Sequence, residues 1–595
     1  MKKIKFIFML FVVFLASCED IFDKQPLNKI SESDVWQQRP MIEAYVTNLY
    51  ARFPWTGTTI AATSSNPRYH NPFSHYQWHT WSDEATASSG NTTSTNVPRG
   101  GATRSNDEPA FWDYGYIRDM NLFLEKIGGT TLSDDVKAQL EGEVRVIRAV
   151  TYFEMQKRYG GVPLVDVTID PFGEIDEKYT KRSKEEAIAD FIDSELSTAI
   201  GLLSETATSG KINKWTAYAY KAKANLWAGS IAKYGTVQLD GLVGIPSARA
   251  NDFFTKASAA AQAVIGSGKY SLYKKVADKS ENYRKLFLDE NNGETIFEKI
   301  YDGVNIGHSW DLQNAPPSVA AGRGGVTDPM LEFILGYENI DGSTTQPEFG
   351  ANNLYNNAYA PFANKDPRLK ATVFFQGDVW AGTTINTYEG IDPSATPDPT
   401  KILPSSATQL YNGMPQAGAD SRYGSSDDKT TNSGFIVKKY IREEAFVGSG
   451  LSSTNWIALR LAEMYLTKAE AEFELGHLDV AATALNATRE RAGISSVTAS
   501  TITLDKVRTE RRSELAFEEG NRYWDLRRWR IASDVLNAHR FQGLRIIFHY
   551  PTGKYYFLPM NCEGFSRTFN PEHYYNPITT GRISNNPDLV ENPLY

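Results

Sequence analysis

The chain has 595 residues, of which 41% are hydrophobic and 12% aromatic, enough apolar material spread along its length for a substantial buried core. Lys and Arg number 62 against 71 Asp and Glu, a formal net charge of −9, and no Lys/Arg block forms the basic face that a nucleic-acid partner needs. After residue 18 no stretch is long and apolar enough to span a bilayer, which takes about 20 apolar residues.

The chain opens with Lys2, Lys3 and Lys5, an apolar run from Phe6 to Ala16, and then Ser17-Cys18-Glu19-Asp20. This reads as a signal peptide, residues 1–17. Small residues directly before a cysteine resemble the lipobox of bacterial lipoproteins, which makes Cys18 the acylated first residue of the mature chain. The alternative is an ordinary secretory cut near a cysteine. Acyl chains contribute about 0.8 kcal/mol per buried methylene, enough to hold a domain on a membrane without a spanning helix. Cleavage removes three lysines and no acid, moving the net charge from −9 to −12. The one remaining cysteine, Cys562, then has no intrachain partner for a disulfide.

Residues 54–111 form the first of three long stretches rich in Gly, Ser, Asn, Pro and aromatics; the others are 302–328 and 376–434. Loops of this length inside a compact domain tend to be functional. Between them the apolar spacing is helical. Trp112, Tyr116 and Asn121 fall in a helix-like stretch and read as packing. A long helix runs through Arg145 and ends at Gly160-Gly161 and Pro163. Ser183 with Glu186 makes a capping box, after which Ile188, Phe191, Ile192, Leu196, Ile200 and Leu203 trace one face. Lys214 to about Lys233 is a second helix. Near the C-terminus Ala462, Leu466, Ala469 and Phe473 line one helix, Gly476 stops it, and Leu478, Ala482 and Leu485 begin the next. Antiparallel pairs of this kind are the unit of tetratricopeptide-like stacks. The basic run from Arg508 to Arg512 and on to Arg530 is interleaved with Glu510, Glu514, Glu518, Glu519 and Asp525, and predicts internal ion pairing.

Motifs of catalysis are scarce. There is no Gly-x-Ser-x-Gly elbow, no HExxH helix and no Cys-x-x-Cys pair. Gly266-Ser-Gly268-Lys269 fails as a phosphate loop, and Asp289 to Gly293 fails as a calcium loop because its glycine comes one position early. His75 and His79 with Asp83 and Glu84 have the composition of a metal site, but their surroundings read as loop, so no metal or other cofactor is expected.

The loops do carry the chemistry of sugar recognition. Aromatic faces pack against the polarised C–H groups of a sugar ring while Asn, Asp, Arg or Gln reach its hydroxyls. The densest mixtures contain Trp55, Tyr76, Trp78 and Trp81; then Trp310, Asn314 and Arg323; and then Trp380. These eight are the candidate ligand contacts, the alternative for each tryptophan being an anchor that fastens its loop to the scaffold.

Four passages together resemble the SusD/RagB family: Arg145 to Phe153 (RVIRAVTYF) continuing to Tyr159-Gly160-Gly161-Val162-Pro163-Leu164; Gly210 to Ala222 (GKINKWTAYAYKA); Arg460 to Leu466 and Arg489 to Gly493, with Glu510 to Glu518 and Asp525 to Trp529; and the ending Asn585-Asn586-Pro587 to Asn592-Pro593-Leu594-Tyr595. Where that family usually has Gly after the Arg-Trp pair, this chain has Arg530. The resemblance implies a mainly α fold, a tetratricopeptide-like helix-pair stack with long loop-rich insertions and few short strands. It also implies one domain over 18–595, helical in 19–300, loop-rich in 301–450 and helical again in 451–595. It implies further a lipoprotein on the outer membrane facing the exterior, as Glu19-Asp20 after the lipidated cysteine also suggests, capturing a nutrient, a glycan by expectation, for a SusC-like TonB-dependent transporter. Peptide capture, or a structural lid on the transporter, is the alternative; a glycoside hydrolase is the least favoured.

Overall fold

Helical periodicity in the sequence becomes a set of stacked helices in a computed structural model of the chain, which describes residues 32–55, 72–74, 77–88, 96–170, 172–290, 292–320, 324–424, 430–443 and 448–595. The signal peptide and Cys18 lie outside the described residues, and among those described no helix is long and apolar enough to cross a membrane.

The scaffold consists of α1 (Arg39–Ala51), α2 (Tyr114–Lys126), α3 (Asp134–Tyr159), α4 (Glu185–Leu202), α5 (Lys214–Tyr234), α6 (Ala250–Gly266), α7 (Lys279–Leu286), α8 (Leu461–Glu474), α9 (Leu478–Ala492), α10 (Leu504–Glu514) and α11 (Asn521–Arg528). Packing runs α3 on α4, α4 on α5, α5 on α6, α6 on α8 and α8 on α9. The last pair therefore continues the stack although almost 200 residues of chain separate it from α6. Helix α4 does not begin at the expected capping box: Lys184 occupies the N-cap, Ser183 N–H donates to the Val162 carbonyl at 3.0 Å, and Glu186 pairs with Arg249. Helix α5 has the box instead, with Thr216 N–H donating to Asn213 Oδ1 at 2.9 Å. Gly493, at φ 80°, closes α9 in the left-handed conformation that suits glycine.

Short strands tie the insertions to this stack. They are β1 (Ala85–Ala87), β2 (Thr295–Lys299), β3 (Thr327–Pro329), β4 (Val373–Phe374), β5 (Gly390–Asp392), β6 (Ile436–Val437), β7 (Trp456–Arg460), β8 (Gln542–His549) and β9 (Lys554–Asn561). β8 and β9 form an antiparallel hairpin inside the segment expected to be helical, and β5 joins it parallel to β8 from the loop-rich part. Its strands are rich in the β-branched and aromatic residues that favour a pleated surface, Ile546, Ile547 and Phe548 against Tyr555, Tyr556 and Phe557, a signal the helical reading passed over.

Two family-like passages meet at the end of α3, joined by the loop at Arg182. Gly161 packs so closely on the 183 loop that a Cβ there would lie 1.9 Å from the Ser183 carbonyl oxygen. Arg182 donates to the Gly161 carbonyl at 2.7 Å, to the Val590 carbonyl at 2.7 Å and to Asn592 Oδ1 at 2.8 Å, so the chain's ending clamps the glycine turn. Arg530 adopts φ 56°, a left-handed conformation that costs a non-glycine residue about 1 kcal/mol or more. Its guanidinium lies 4.8 Å from the ring centres of both Tyr574 and Tyr575, contacts a glycine lacks.

The basic run pairs internally. Glu514 receives Arg368 at 2.7 Å and also Arg460 and Arg491, while Arg460 reaches Glu518 at 2.7 Å and Glu294 at 2.8 Å. Against full desolvation these guanidiniums hold the Glu514 carboxyl well below its usual range. Trp529 Nε1 and Arg528 both donate to Glu470, at 2.7 Å. The Arg508 guanidinium lies 4.9 Å over the Trp529 ring. Cys562 is buried and free, its thiol pushed up by burial.

Candidate ligand-binding surface

The tryptophans expected to meet a ligand lie inside the core. Trp55 stacks on Phe297 at 5.0 Å, Trp78 packs 4.8 Å from Trp81 and 5.4 Å from Trp524, and Trp380 packs 5.0 Å from Phe374 under the Arg284 guanidinium. Trp310 is 1% exposed. Asn314 is buried as well: its Nδ2 donates to the Trp310 carbonyl at 3.2 Å, and its Oδ1 accepts from Thr327 N–H at 3.1 Å. The reading of Trp55, Trp78, Trp81, Trp310, Asn314 and Trp380 as ligand contacts is therefore corrected to that of loop anchors. The physical reason is that a loop rich in Gly, Ser and Asn buries little of its own, so one indole supplies most of the apolar area that docks it. Tyr76 and Arg323 lie outside the described residues.

What the anchors accomplish is convergence. β1 pairs with β3, Ser88 N–H donates to the Val326 carbonyl at 3.1 Å, and Asn432 donates to the Ala87 carbonyl at 3.2 Å, so all three insertions meet along one line. Phe73 stacks on His308 at 3.9 Å, and His308 Nε2 lies 3.0 Å from the Thr454 carbonyl. Burial lowers the His308 imidazole to about 3, with the Thr454 bond opposing and Arg442 and Lys299 adding to the shift, so the ring stays neutral and its Nδ1 accepts from Trp310 N–H at 3.2 Å.

Carboxyls tie the same face together. Asp420 accepts from Ser318 N–H at 2.8 Å, Ser318 Oγ at 3.0 Å and Asn386 N–H at 2.8 Å, joining the second and third insertions. Asp328 accepts from Asn432 N–H at 2.8 Å, and burial pushes it well above the usual carboxylate range. Glu389 is raised by burial to about 7, with Arg422 and Arg545 opposing.

Above these ties the structure leaves polar groups and one aromatic ring open. Tyr423 is 43% exposed. Beside it in the chain Arg422 is half-buried, donating to the Asn432 carbonyl at 2.6 Å, and Asn386 and Ser318 reach solvent around the Asp420 tie. An accessible ring with a guanidinium next to it in the chain, and with an amide and a hydroxyl held at the nearby Asp420 tie, has the chemistry to recognise a polyhydroxylated ligand. Reasoning from sequence misses it by weighting tryptophan over tyrosine, although Tyr423 stands within the third loop-rich stretch.

No group of three or more His, Cys, Asp or Glu side chains is placed to hold a metal among the described residues. His75 lies outside them. His79 is buried with Nδ1 3.2 Å from Glu84, while Asp83 pairs with Arg522 at 2.7 Å and Arg512 at 3.0 Å, which hold its carboxyl below the usual range against desolvation.

Comparison with known proteins agrees with this architecture. Residues 293–595 match the model of the SusD family, and residues 22–226 match a model described as starch-binding associating with outer membrane. A SusD-like protein of Bacteroides ovatus is 24% identical over 97% of this chain and 94% of its own. The crystal structure of a SusD-like protein from Bacteroides fragilis superposes with a TM-score of 0.70 at 24% identity, over 96% of this chain and all of that one. A laminarin-binding SusD-like protein superposes with a TM-score of 0.59 at 18% identity, over 94% of this chain and all of its own. With the helix-pair stack, its buried ion network and a family match spanning just over half of the chain, this protein belongs to the SusD family.

Proposed function

We propose that this protein captures an oligosaccharide or polysaccharide at the outer membrane, held there by lipid on Cys18, and delivers it to a SusC-like TonB-dependent transporter without cleaving it. The observation that carries the reading is the convergence of three insertions on one face, where Tyr423, Arg422, Asn386 and Ser318 remain accessible above buried anchors. Membership of the SusD family and the fold shared with a laminarin-binding relative support a glycan as the ligand. The reading calls on no cofactor: ring stacking with hydrogen bonds from the guanidinium, amide and hydroxyl suffices.

The test is calorimetric titration of residues 19–595 with a polysaccharide panel that includes laminarin, with product analysis of each mixture. Heat of binding with no shortened product is the expected result. Released product would make the protein a hydrolase, and silence across the panel with heat from peptides would make it a peptide binder. Co-purification of a TonB-dependent barrel with the full-length lipoprotein tests the partner.

A further inference from the structure

Away from the three insertions, a cleft of about 260 Å³ opens between the start of α2 and the chain's ending. Trp112, Tyr114, Tyr179, Arg582, Asn585 and Asn586 shape it. Trp112 packs as expected, its ring 5.0 Å from that of Tyr159, yet it stays half-buried and stands 5.4 Å from the Tyr114 ring at 60°. The Arg582 guanidinium lies 4.8 Å over the Trp112 ring and is bonded to the Asp107 carboxylate. Its charge is therefore compensated within the protein, and the cleft offers no net charge to an anion.

The polar groups differ in how far they are engaged. Tyr114 OH donates to the Pro163 carbonyl at 2.7 Å and Asn586 Nδ2 to the Thr180 carbonyl at 2.8 Å, so these two hold the walls in place. The Asn585 amide is exposed, and neither it nor the Trp112 indole N–H bonds to any described residue. Held aromatic walls with an amide and an indole donor left open match a neutral sugar ring, whose C–H face packs on an aromatic while its hydroxyls accept and donate. The volume is below the roughly 300–1,000 Å³ of pockets for larger ligands, which limits the occupant to a single ring or chain end.

We infer that this cleft is a second saccharide site, holding one uncharged sugar residue independently of the insertion face. The ligand class rests on the function proposed above; the site does not share a residue with it. A second contact on the same polymer would slow its escape without tightening either contact alone.

Labelling with 5-fluorotryptophan and observing the fluorine resonances decides the matter, the Trp112 signal being the one that disappears in Trp112→Phe. Glucose, galactose, mannose, xylose, N-acetylglucosamine and glucuronate are titrated separately. At least one neutral sugar is expected to move the Trp112 signal and glucuronate to leave it. Asn585→Ala is expected to weaken that response at least fivefold without shifting the sugar-free signal, and Tyr423→Ala to leave it unchanged. A Trp112 signal stationary with every sugar, in a protein that still binds glycan, overturns the cleft and spares the insertion face. Absence of any sugar or glycan binding overturns both. Should Trp112→Phe not fold, crystals of the wild-type protein soaked in the same sugars serve in its place: density between Trp112 and Asn585 supports the site, and an empty cleft refutes it.

Discussion

The indole N–H of Trp310 donates to the backbone carbonyl of Lys439 at 2.9 Å, joining two segments 129 residues apart in the chain. Lys439 in turn sends its ammonium to Glu518 at 2.6 Å, inside the ion network beneath the helix stack. Burial lowers that ammonium to about 8 with Glu518 opposing the shift, so it remains charged at neutral pH. Loop, anchor and scaffold are thus one connected structure.

Trp310→Ala should therefore act on stability before it acts on ligand. Removing a buried aromatic ring costs about 3–5 kcal/mol. Trp310→Phe keeps most of the packing and loses the hydrogen bond, for about 1 kcal/mol. Urea unfolding of both variants gives the two values; equal stabilities for wild type and Trp310→Ala would remove the anchor role.

Tyr423→Ala should do the reverse. An exposed ring contributes within about 0.5 kcal/mol to stability, so the midpoint of unfolding should hold. Glycan affinity should fall at least tenfold in calorimetry if the insertion face is the capture site. An unchanged affinity would move the site elsewhere.

Glu514→Gln breaks a buried carboxylate that serves three arginines, Arg368, Arg460 and Arg491. Loss of one partner from such a network leaves uncompensated buried charge and costs about 3–5 kcal/mol. Chemical denaturation should show this loss at 25 °C.

His308 makes the insertion face acid-sensitive. Its folded-state value of about 3 lies below the ordinary 6.5, so the folded chain favours the neutral ring. The stability it contributes is complete above pH 6.5 and declines as pH falls from 6.5 towards 3, because across that window the unfolded chain takes up a proton at the imidazole while burial keeps the folded ring neutral. The opening equilibrium at the Trp310 backbone amide, read from hydrogen exchange after division by the intrinsic rate at each pH, should rise across that window in wild type, and the rise should be weaker in His308→Gln.

Cys18→Ala should release the protein from the membrane fraction. If Cys18 carries the lipid proposed above, its loss removes the hydrophobic contribution of the acyl chains, and among the described residues no helix is long and apolar enough to span a membrane in their place. Fractionation followed by immunoblotting reads the outcome.

Much of the scaffold was legible from sequence because its signals are local. Helical spacing along 462–485, the Gly160-Gly161 stop and the alternation of Arg508 to Arg530 with acids each involve residues near one another in the chain, and each describes what the structure contains. The Ser183 capping box was as local and did not form, since Ser183 spends its backbone N–H on Val162 and its neighbour Gly161 packs against its carbonyl.

By itself, then, the sequence determined the helix-pair architecture and the internal pairing of its basic run, because periodicity and charge alternation follow from neighbouring residues. Only the tertiary structure decided which aromatic rings face solvent. Trp310, Trp81 and Tyr423 all sit in loop-like sequence, and what separates them is contact with residues distant in the chain: the Lys439 carbonyl accepts from the Trp310 indole, Tyr523 packs on Trp81, and Tyr423 stays 43% exposed. Burial is a property of the assembled core, so a loop tryptophan has no way of announcing from its neighbours whether it will bind a ligand or hold its own loop in place.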